Sequence, residues 1–365
     1  MIKILKTYRY RLYPTDEQTS VLTELLDLGR WLYNHALAYR RKRWSESRYS
    51  VTYNEQATMW KEWRNEQPDD NPLRRLNMTA GQQVLRRLES AYRAFLSGKR
   101  GKPRFKGARY FNSLNFKPGD GAAVKEGRLY IQNVGLVSVK WHRALPEGTL
   151  KNVIVMRKPS GWYVLLQLEM TGEEPPPSPN PAVGVDVGIH HALALSDGRI
   201  FDSPNSLKGA LQKLRVLQRT VSRRKKGSQR RAKAVHQLAR LLEHIANQRR
   251  DWWHRVVFHL VKTYGVIVLE KLNLTFMLRN HTLARAAHDV SLGLFYEILD
   301  YKAFDAGVQV IGINPYNTSQ TCSGCRVKVE KALSVRVHRC PHCGFSADRD
   351  VNAALNILFL GRSSA

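Results

Sequence analysis

The chain has 365 residues, enough for two or three domains at roughly 150 residues each, so it can bury real cores. Its 59 Lys and Arg against 30 Asp and Glu give a formal charge of +29. That excess is beyond what solubility requires and points to a polyanionic partner, nucleic acid before a membrane surface. No run of about 18 apolar residues is present, and the opening MIKILKTYRY is too short and too charged for a signal peptide, so a cytoplasmic protein without a membrane partner is expected.

The predicted elements begin with a strand over Tyr8 to Tyr13, where Tyr8, Tyr10 and Leu12 alternate with Arg9 and Arg11 and Pro14 stops the run. Thr15 and Gln18 then form a capping box ahead of Val21, Leu22, Leu25, Leu28 and Leu32, whose three-and-four spacing predicts a helix with one apolar stripe. WKEWRNE and QQVLRRLESAYRAFLSG continue a helical unit over about 15–96. SGKRGKPRFKGAR follows, setting Lys99, Arg100, Lys102, Arg104 and Lys106 among glycines with Phe105 between them, a candidate nucleic-acid surface. From Ala122 to Met170 short alternating runs such as VSVKW, VIVMRK and WYVLLQLEM predict a small β-barrel. The first domain is thus expected to span residues 1–172.

TGEEPPPSPNPA carries five prolines between Pro175 and Pro181 and predicts a linker over 173–182, with a second domain over 183–365. VGVDVG, HALALSD and a strand near Arg199 to Phe201 read as a meander. Between Lys208 and Lys233 there are eleven Lys or Arg and no acids. Leu211, Leu214, Val216, Leu217 and Val221 lie among them at helical spacing, which predicts a helix pair with a basic tip. Arg223, Arg224, Lys225, Lys226, Arg230 and Arg231 are its candidate nucleic-acid contacts. GVIVLE and GVQVIGINP are apolar runs of strand length, each preceded by helix, as in the buried strands of a mixed sheet. A helix over DVNAALNILFLG ends the pattern.

Three acids occupy positions that such a sheet brings together. Asp186 lies inside GVDVG, Glu270 closes VIVLE, and a third acid, Asp348 or Asp350, opens the last helix. A carboxylate among apolar strand residues is costly unless it meets a cation, a metal or hydrogen-bond donors. Several acidic oxygens around paired divalent ions, Mg²⁺ or Mn²⁺, is the arrangement of two-metal phosphodiester chemistry. If Asp348 is the N-cap it satisfies helix donors, and Asp350 is left free to project toward the metals. Asp197 and Asp202 read as turn residues.

Cys322-Ser-Gly-Cys325 and Cys340-Pro-His-Cys343, fourteen residues apart, hold every cysteine of the chain. The spacing is that of a two-knuckle zinc ribbon, here over about 318–346, in which four thiolates close a structural Zn²⁺ site. Arg326 ends the first knuckle where glycine is common, so that turn is expected to be strained, whereas the second has Gly344.

With YRYRLYPTDEQ, GKPRFKG, GVDVGIHHALALSDG, VLEKLNL, NPYNTSQTCSGC, CPHCG and DRDVNAALNIL in place, the chain resembles the TnpB family over nearly its whole length. These are OrfB-type insertion-sequence proteins, similar to the type V CRISPR effector nucleases. The resemblance implies an α+β multidomain fold: a wedge-like β-barrel interrupted by a helical recognition unit, then a RuvC or RNase H-like α/β nuclease domain with an inserted zinc ribbon. It also implies an RNA-guided, metal-dependent DNA endonuclease with catalytic acids at Asp186, Glu270 and Asp350. The last is chosen because the family places an Asp two positions before Asn, here Asn352. The implied partners are a guide RNA from the transposon end and a target double-stranded DNA bearing a short adjacent motif. A monomer and a prokaryotic, nucleoid-associated location go with them.

The chain departs from the family at His190 and His191, where Lys or Asn is more familiar, and at Lys271, where an acid is common. Neither change removes a carboxylate, so an active nuclease is expected. Two other functions fit the same residues: a DDE-type transposase, which would join transposon ends without a guide, and a zinc-ribbon nucleic-acid-binding regulator whose acids are structural.

Overall fold

The computed structural model describes residues 1–272, 283–314, 318–332 and 334–363. It divides into two compact units, Met1–Glu173 and Glu174–Ala365. Parts of two motifs, residues 273–274 of VLEKLNL and 315–317 of NPYNTSQTCSGC, lie outside the described residues.

In the first unit, β1 (Ile2–Tyr13) leads into α1 (Asp16–Ser47), α2 (Tyr53–Glu66), α3 (Pro72–Arg75) and α4 (Met78–Leu96). The chain then returns through β2 (Ser113–Pro118), β3 (Gly121–Lys125), β4 (Arg128–Ile131), β5 (Gly135–Lys140), β6 (Thr149–Lys158) and β7 (Gly161–Gly172). The strands close a barrel in the order β1-β5-β4-β3-β2-β6-β7, so the helices are an insertion between its first two strands. Strand β1 starts six residues earlier than its alternation alone predicts. It pairs antiparallel with β7 from Ile2↔Gly172 to Leu12↔Trp162, and that partner supplies the order which Lys3 and Lys6 obscure in the local pattern.

Helix α1 begins at the expected capping box, in which the Gln18 N–H donates to Thr15 Oγ1 and the Thr15 N–H to Gln18 Oε1. It buries Leu22, Leu25, Leu26, Leu32, Tyr33 and Leu37 in one stripe. That stripe joins the barrel residues Tyr10, Leu12, Phe116, Val164 and Leu166 in a single core. Arg40 lies on the same stripe and is buried.

In the second unit, residues 173–181 form neither helix nor strand. The proline run does not hang free, because the Ser178 N–H donates to the Gly307 carbonyl at 2.8 Å and the Gly265 N–H to the Pro181 carbonyl at 3.0 Å. After it come β8 (Ala182–Val187), β9 (Leu193–Leu195), β10 (Ile200–Phe201), α5 (Ser206–Arg223), α6 (Gln229–Thr263) and β11 (Val266–Glu270). Next are α7 (Ala284–Val290), α8 (Leu292–Asp305), β12 (Gln309–Ile313), a small pair β13 (Val337–Arg339) and β14 (Ser346–Asp348), and α9 (Arg349–Arg362). The sheet order is β10-β9-β8-β11-β12, with β8, β11 and β12 parallel and the first three strands a meander. Unlike the buried strand expected of GVQVIGINP, β12 is an edge strand among the described residues, paired there with β11 alone and with Val310 42% exposed.

Period two divides the sheet's residues between its faces. Val183, Val185, Val187, Ile267 and Leu269 pack on Trp253, Val257 and Leu260 of α6 and on Phe295 and Leu299 of α8. Val268 goes the other way and meets Ile357 of α9. Gly184 explains how close α9 can lie on that second face, because a Cβ there would stand 2.1 Å from the Ala354 carbonyl oxygen. No helix among the described residues is long and apolar enough to cross a membrane.

Candidate active site

The same period fixes the acids. Asp186 follows Gly184 by two residues on β8, and Glu270 follows Val268 by two on the adjacent parallel strand β11, so both belong to the face that α9 covers. Asp348 is the N-cap of α9, its Oδ1 accepting from the Asp350 N–H at 2.8 Å and the Val351 N–H at 3.3 Å. Asp350 therefore begins the helix with its carboxylate uncommitted to the cap.

Electrostatics tie the three together. Asp186 is held well above the ordinary carboxylate range first by burial, then by the charges of Glu270 and Asp350, with Arg349 opposing. Burial also raises Glu270, only 7% exposed, against the opposing hydroxyl of Thr318, which donates to its Oε1. Tyr296 donates to the Glu270 carbonyl oxygen at 3.3 Å. Burial, followed by Glu270 and Asp186, pushes its phenol to about 12. Asp186 and Glu270 are thus desolvated, Asp350 is half-buried, and the charges of the other two act on Asp186, a hard-oxygen donor set whose repulsion a divalent cation would relieve.

The Lys271 side chain lies along β12, where a Cβ on Gly312 would stand 2.8 Å from its Cε. Asp197 acts as expected of a turn residue, accepting from the Arg199 N–H at 3.1 Å, and it also accepts from the Tyr264 hydroxyl. Asp202 departs from the turn role. Its Oδ1 stands 2.6 Å from His191 Nδ1, because β10 runs antiparallel to β9 and returns the chain to the start of the meander.

The four cysteines converge, with every Sγ within 4.8 Å of the others. Cys322 and Cys343 sulfurs are 3.7 Å apart and those of Cys325 and Cys340 are 3.5 Å apart, with all four thiols free. A tetrahedron with bonds of about 2.3 Å has edges of about 3.8 Å, so the spacing fits a four-thiolate metal site. Burial pushes the Cys340 thiol up, but the N–H groups of Cys343 and His342 and the neighbouring thiols bring it to about 6, whereas Cys343, despite the Phe345 N–H, is pushed up to about 12 by burial and the same crowding of thiols, a crowding that a bound cation would relieve. Arg326 takes the left-handed conformation at φ 67°, the strain expected of a knuckle without glycine, and Gly344 matches it at 74°.

Sequence reasoning missed how this module is held to the acids. On α9, Asn352 accepts from the Ser323 N–H at 2.9 Å and donates to the Thr321 carbonyl at 2.8 Å. One turn on, Asn356 donates to the carbonyls of Thr318 and Thr321 and accepts from Arg326 at 2.7 Å. The signal was two asparagines four apart in an otherwise apolar helix face. The helix that delivers Asp350 is thereby fastened to the cysteine module two residues further on.

The basic candidates are placed in both units. Lys99, Arg100, Lys102 and Arg104 are exposed and Lys106 is half-buried. Their loop is pinned to α1, where Arg41 donates to the Pro103 carbonyl at 2.6 Å and stacks over Phe105, and Asn34 bonds both backbone groups of Lys106. Arg223, Arg224, Lys225, Lys226 and Arg230 are exposed at the tip joining α5 to α6. Arg231 is half-buried and donates to the Val221 carbonyl at 3.3 Å, which braces the tip. The other end of the pair is held by buried Asp289, which caps α5 by accepting from the Leu207 and Lys208 N–H groups and is paired with Arg249 at 2.9 Å.

A barrel with inserted helices, a mixed sheet edged with carboxylates and a four-cysteine module define the architecture of an insertion-sequence nuclease. The chain belongs to the TnpB family. It is 31% identical to a putative RNA-guided DNA endonuclease of Streptomyces pristinaespiralis over 100% of this chain and 91% of the relative. It is 30% identical to the putative RNA-guided DNA endonuclease InsQ of Escherichia coli K12, over 99% of this chain and 94% of that one. Family profiles match at residues 165–281 (probable transposase), 293–357 (Cas12f1-like, TNB domain) and 1–48 (helix-turn-helix domain). The last description is not met by the structure, in which residues 2–13 are a strand and 16–47 one unbroken helix. Among solved structures, a Cas12f1–sgRNA–target DNA complex contains a chain of similar fold, with a TM-score of 0.59 at 14% identity, covering 97% of this chain and 98% of that one.

Proposed function

We propose that this protein is an RNA-guided DNA endonuclease that cuts duplex DNA beside a short transposon-associated motif, with Asp186, Glu270 and Asp350 as its catalytic acids in a RuvC-type domain. The observation that carries the reading is that buried Asp186 on β8 feels the charges of both Glu270 on β11 and Asp350 in the first turn of α9. Full-length relatives named as RNA-guided DNA endonucleases support it.

In this reading the three acids would hold Mg²⁺ or Mn²⁺, whose chemistry would be to activate a water and to stabilise negative charge on the departing oxygen of the phosphodiester. Thr318 fixes one Glu270 oxygen so that the carboxylate keeps one orientation. Arg349 offsets part of the negative charge at Asp186. Asp348 holds the first turn of α9, and so the aim of Asp350. Cys322, Cys325, Cys340 and Cys343 hold a structural Zn²⁺ as a ribbon, and Asn352 and Asn356 transmit its position to the helix.

The exposed bases at 99–106 and at the α5–α6 tip serve the backbones of a transposon-end guide RNA and its target duplex, while pairing supplies most of the sequence choice. The protein acts as a monomer in this account. Purified with its co-transcribed RNA and given matched duplex and Mg²⁺, the protein is expected to cut. Loss of cutting on omission of RNA or with Asp186→Asn completes the case. Absence of cuts across a broad range of RNAs and flanking motifs would falsify it.

The description of one matching profile as a probable transposase keeps a second reading in the experiment. A DDE-type transposase would join transposon ends with no RNA present, and such joining would overturn the guided reading.

A further inference from the structure

The turn after β8 carries two residues that the carboxylate centre does not account for. The Gly188 N–H donates to the Ala192 carbonyl at 3.3 Å, closing a tight turn that contains His190 and His191. A Cβ on Gly188 would stand 2.9 Å from the His191 carbonyl oxygen, so the tightness depends on that glycine. The two imidazoles meet edge to face, with ring centres 4.3 Å apart and planes at 88°. A donor atom from each, together with a carboxylate oxygen of Asp350, lies within 4.8 Å of the others.

His191 is also oriented from behind. Its side chain is 17% exposed, and Asp202 Oδ1 stands 2.6 Å from its Nδ1. With Nδ1 engaged by a carboxylate, Nε2 is the nitrogen left to bind a cation. A carboxylate behind a ligating histidine fixes its tautomer and raises its basicity.

We propose that His190, His191 and Asp350 hold a divalent cation through two nitrogens and one oxygen, and that this gives the centre a preference for Mn²⁺ or Co²⁺ over Mg²⁺. Imidazole suits borderline first-row ions, whereas Mg²⁺ keeps to oxygen donors and water. Three protein donors leave coordination positions for water or phosphate oxygen. Asp202 is a positioning residue that acts through His191. The inference takes Asp350 as a metal ligand from the proposed function, but it concerns binding and needs neither RNA nor cleavage.

The test uses full-length protein with its cysteine site already loaded with Zn²⁺, titrated with Mn²⁺ and followed by pulsed EPR. Modulation from directly bound imidazole ¹⁴N is expected in the parent protein. It should vanish in the His190→Asn, His191→Asn double variant, with Mn²⁺ affinity falling on the order of tenfold to a hundredfold by analogy with outer-shell losses. Asp202→Asn should weaken Mn²⁺ binding less while keeping part of the nitrogen signal.

Mn²⁺ bound without nitrogen coupling overturns the proposal, as does equal affinity in the double variant. Both asparagine replacements are polar and near in size, and a thermal melt matching the parent shows that the fold is intact. Should the nitrogen signal appear while guided cutting fails, the cation site stands and the nuclease reading falls. Guided cutting in Mg²⁺ without any nitrogen signal gives the reverse.

Discussion

In the first unit the buried guanidinium of Arg40 has partners of its own, although its Nη2 meets Glu89 as an ion pair without hydrogen-bond geometry. Gln56 Oε1 accepts from its Nε at 2.7 Å, Glu89 pairs with Nη2 at 2.9 Å, and the Tyr92 ring lies 5.0 Å away. In the second unit Asp186 and Glu270 are withdrawn from water beside each other and beside Asp350, and both are pushed toward the neutral form. A charge answered in place belongs to the stability of the fold. Acids set against one another cost the fold stability, and that cost is returned only when a cation arrives.

The strongest break of this contrast is Asp186→Asn. Removing one carboxylate of a metal centre forfeits several kcal/mol of transition-state stabilisation, so guided cutting should drop about a thousandfold or more. The metal-free protein should nonetheless melt at a higher temperature than the parent, because the like charges are relieved.

The pH dependence follows from the same cause. Asp186 keeps its proton in the fold above its ordinary 3.8 and loses it at that value when unfolded. In EDTA its contribution to stability is therefore present at low pH and is lost as pH rises through the raised value. Mg²⁺ should flatten that fall, and differential scanning calorimetry with and without the ion reads both effects. A parent protein whose melting does not respond to Mg²⁺ at neutral pH would argue against the repulsion.

Glu89→Ala breaks the other side of the comparison. It leaves Arg40 buried with one ionic partner gone and should cost about 3 kcal/mol in denaturant unfolding of the first unit. Arg40→Met in the same background should recover much of the loss, because an apolar side chain needs no counter-charge. Failure of that recovery would show that Glu89 acts through packing or through Arg93, with which it also pairs at 3.1 Å.

Much of this contrast could be read from residues alone. Asp186 and Glu270 announced themselves because each interrupts or ends an apolar run, and strand period fixes the face. The barrel strands showed in the alternation of WYVLLQLEM, and the cysteine module in its spacing. The answered charge did not show. Arg40 reads as one more cation in RRKRW, since Gln56 and Glu89 reach it only after α2 and α4 pack on α1. The first half of β1 was hidden for a similar reason, its order coming from β7 some 160 residues later. Asp202 read as a turn residue because its partner lies across a hairpin, and Asn352 and Asn356 show their meaning only once a helix face has met the cysteine turns.

Asp289 sharpens the comparison from within the second unit. It is as buried as Glu270, yet it is answered by Arg249 and by two backbone N–H groups at the start of α5. The unit can therefore answer a buried carboxylate with full counter-charge, and the mutual repulsion around Asp186 is particular to its place. Asp289→Asn should cost about 2 kcal/mol through the weakened cap and charge pair, with amide exchange accelerating first along α5. Uniform acceleration over the whole unit would instead mean that the helix pair opens only with global unfolding.

The finest distinction lies between Asp348 and Asp350, two residues apart in one helical turn. Asp348 spends its carboxylate on the donors of α9, so Asp348→Ala should cost about 1 kcal/mol while Asp348→Ser, a competent cap, restores most of it. Asp350→Ala should leave the melt within about 0.5 kcal/mol or raise it slightly, because no helix donor depends on it and one repelling charge near Asp186 is gone. Cleavage should respond in the opposite order, with Asp350→Ala inactive and Asp348→Ser close to the parent. Were Asp348→Ser inactive with its stability intact, the cap residue would itself be a ligand, and the division between a charge that holds the helix and a charge that the helix delivers would fail.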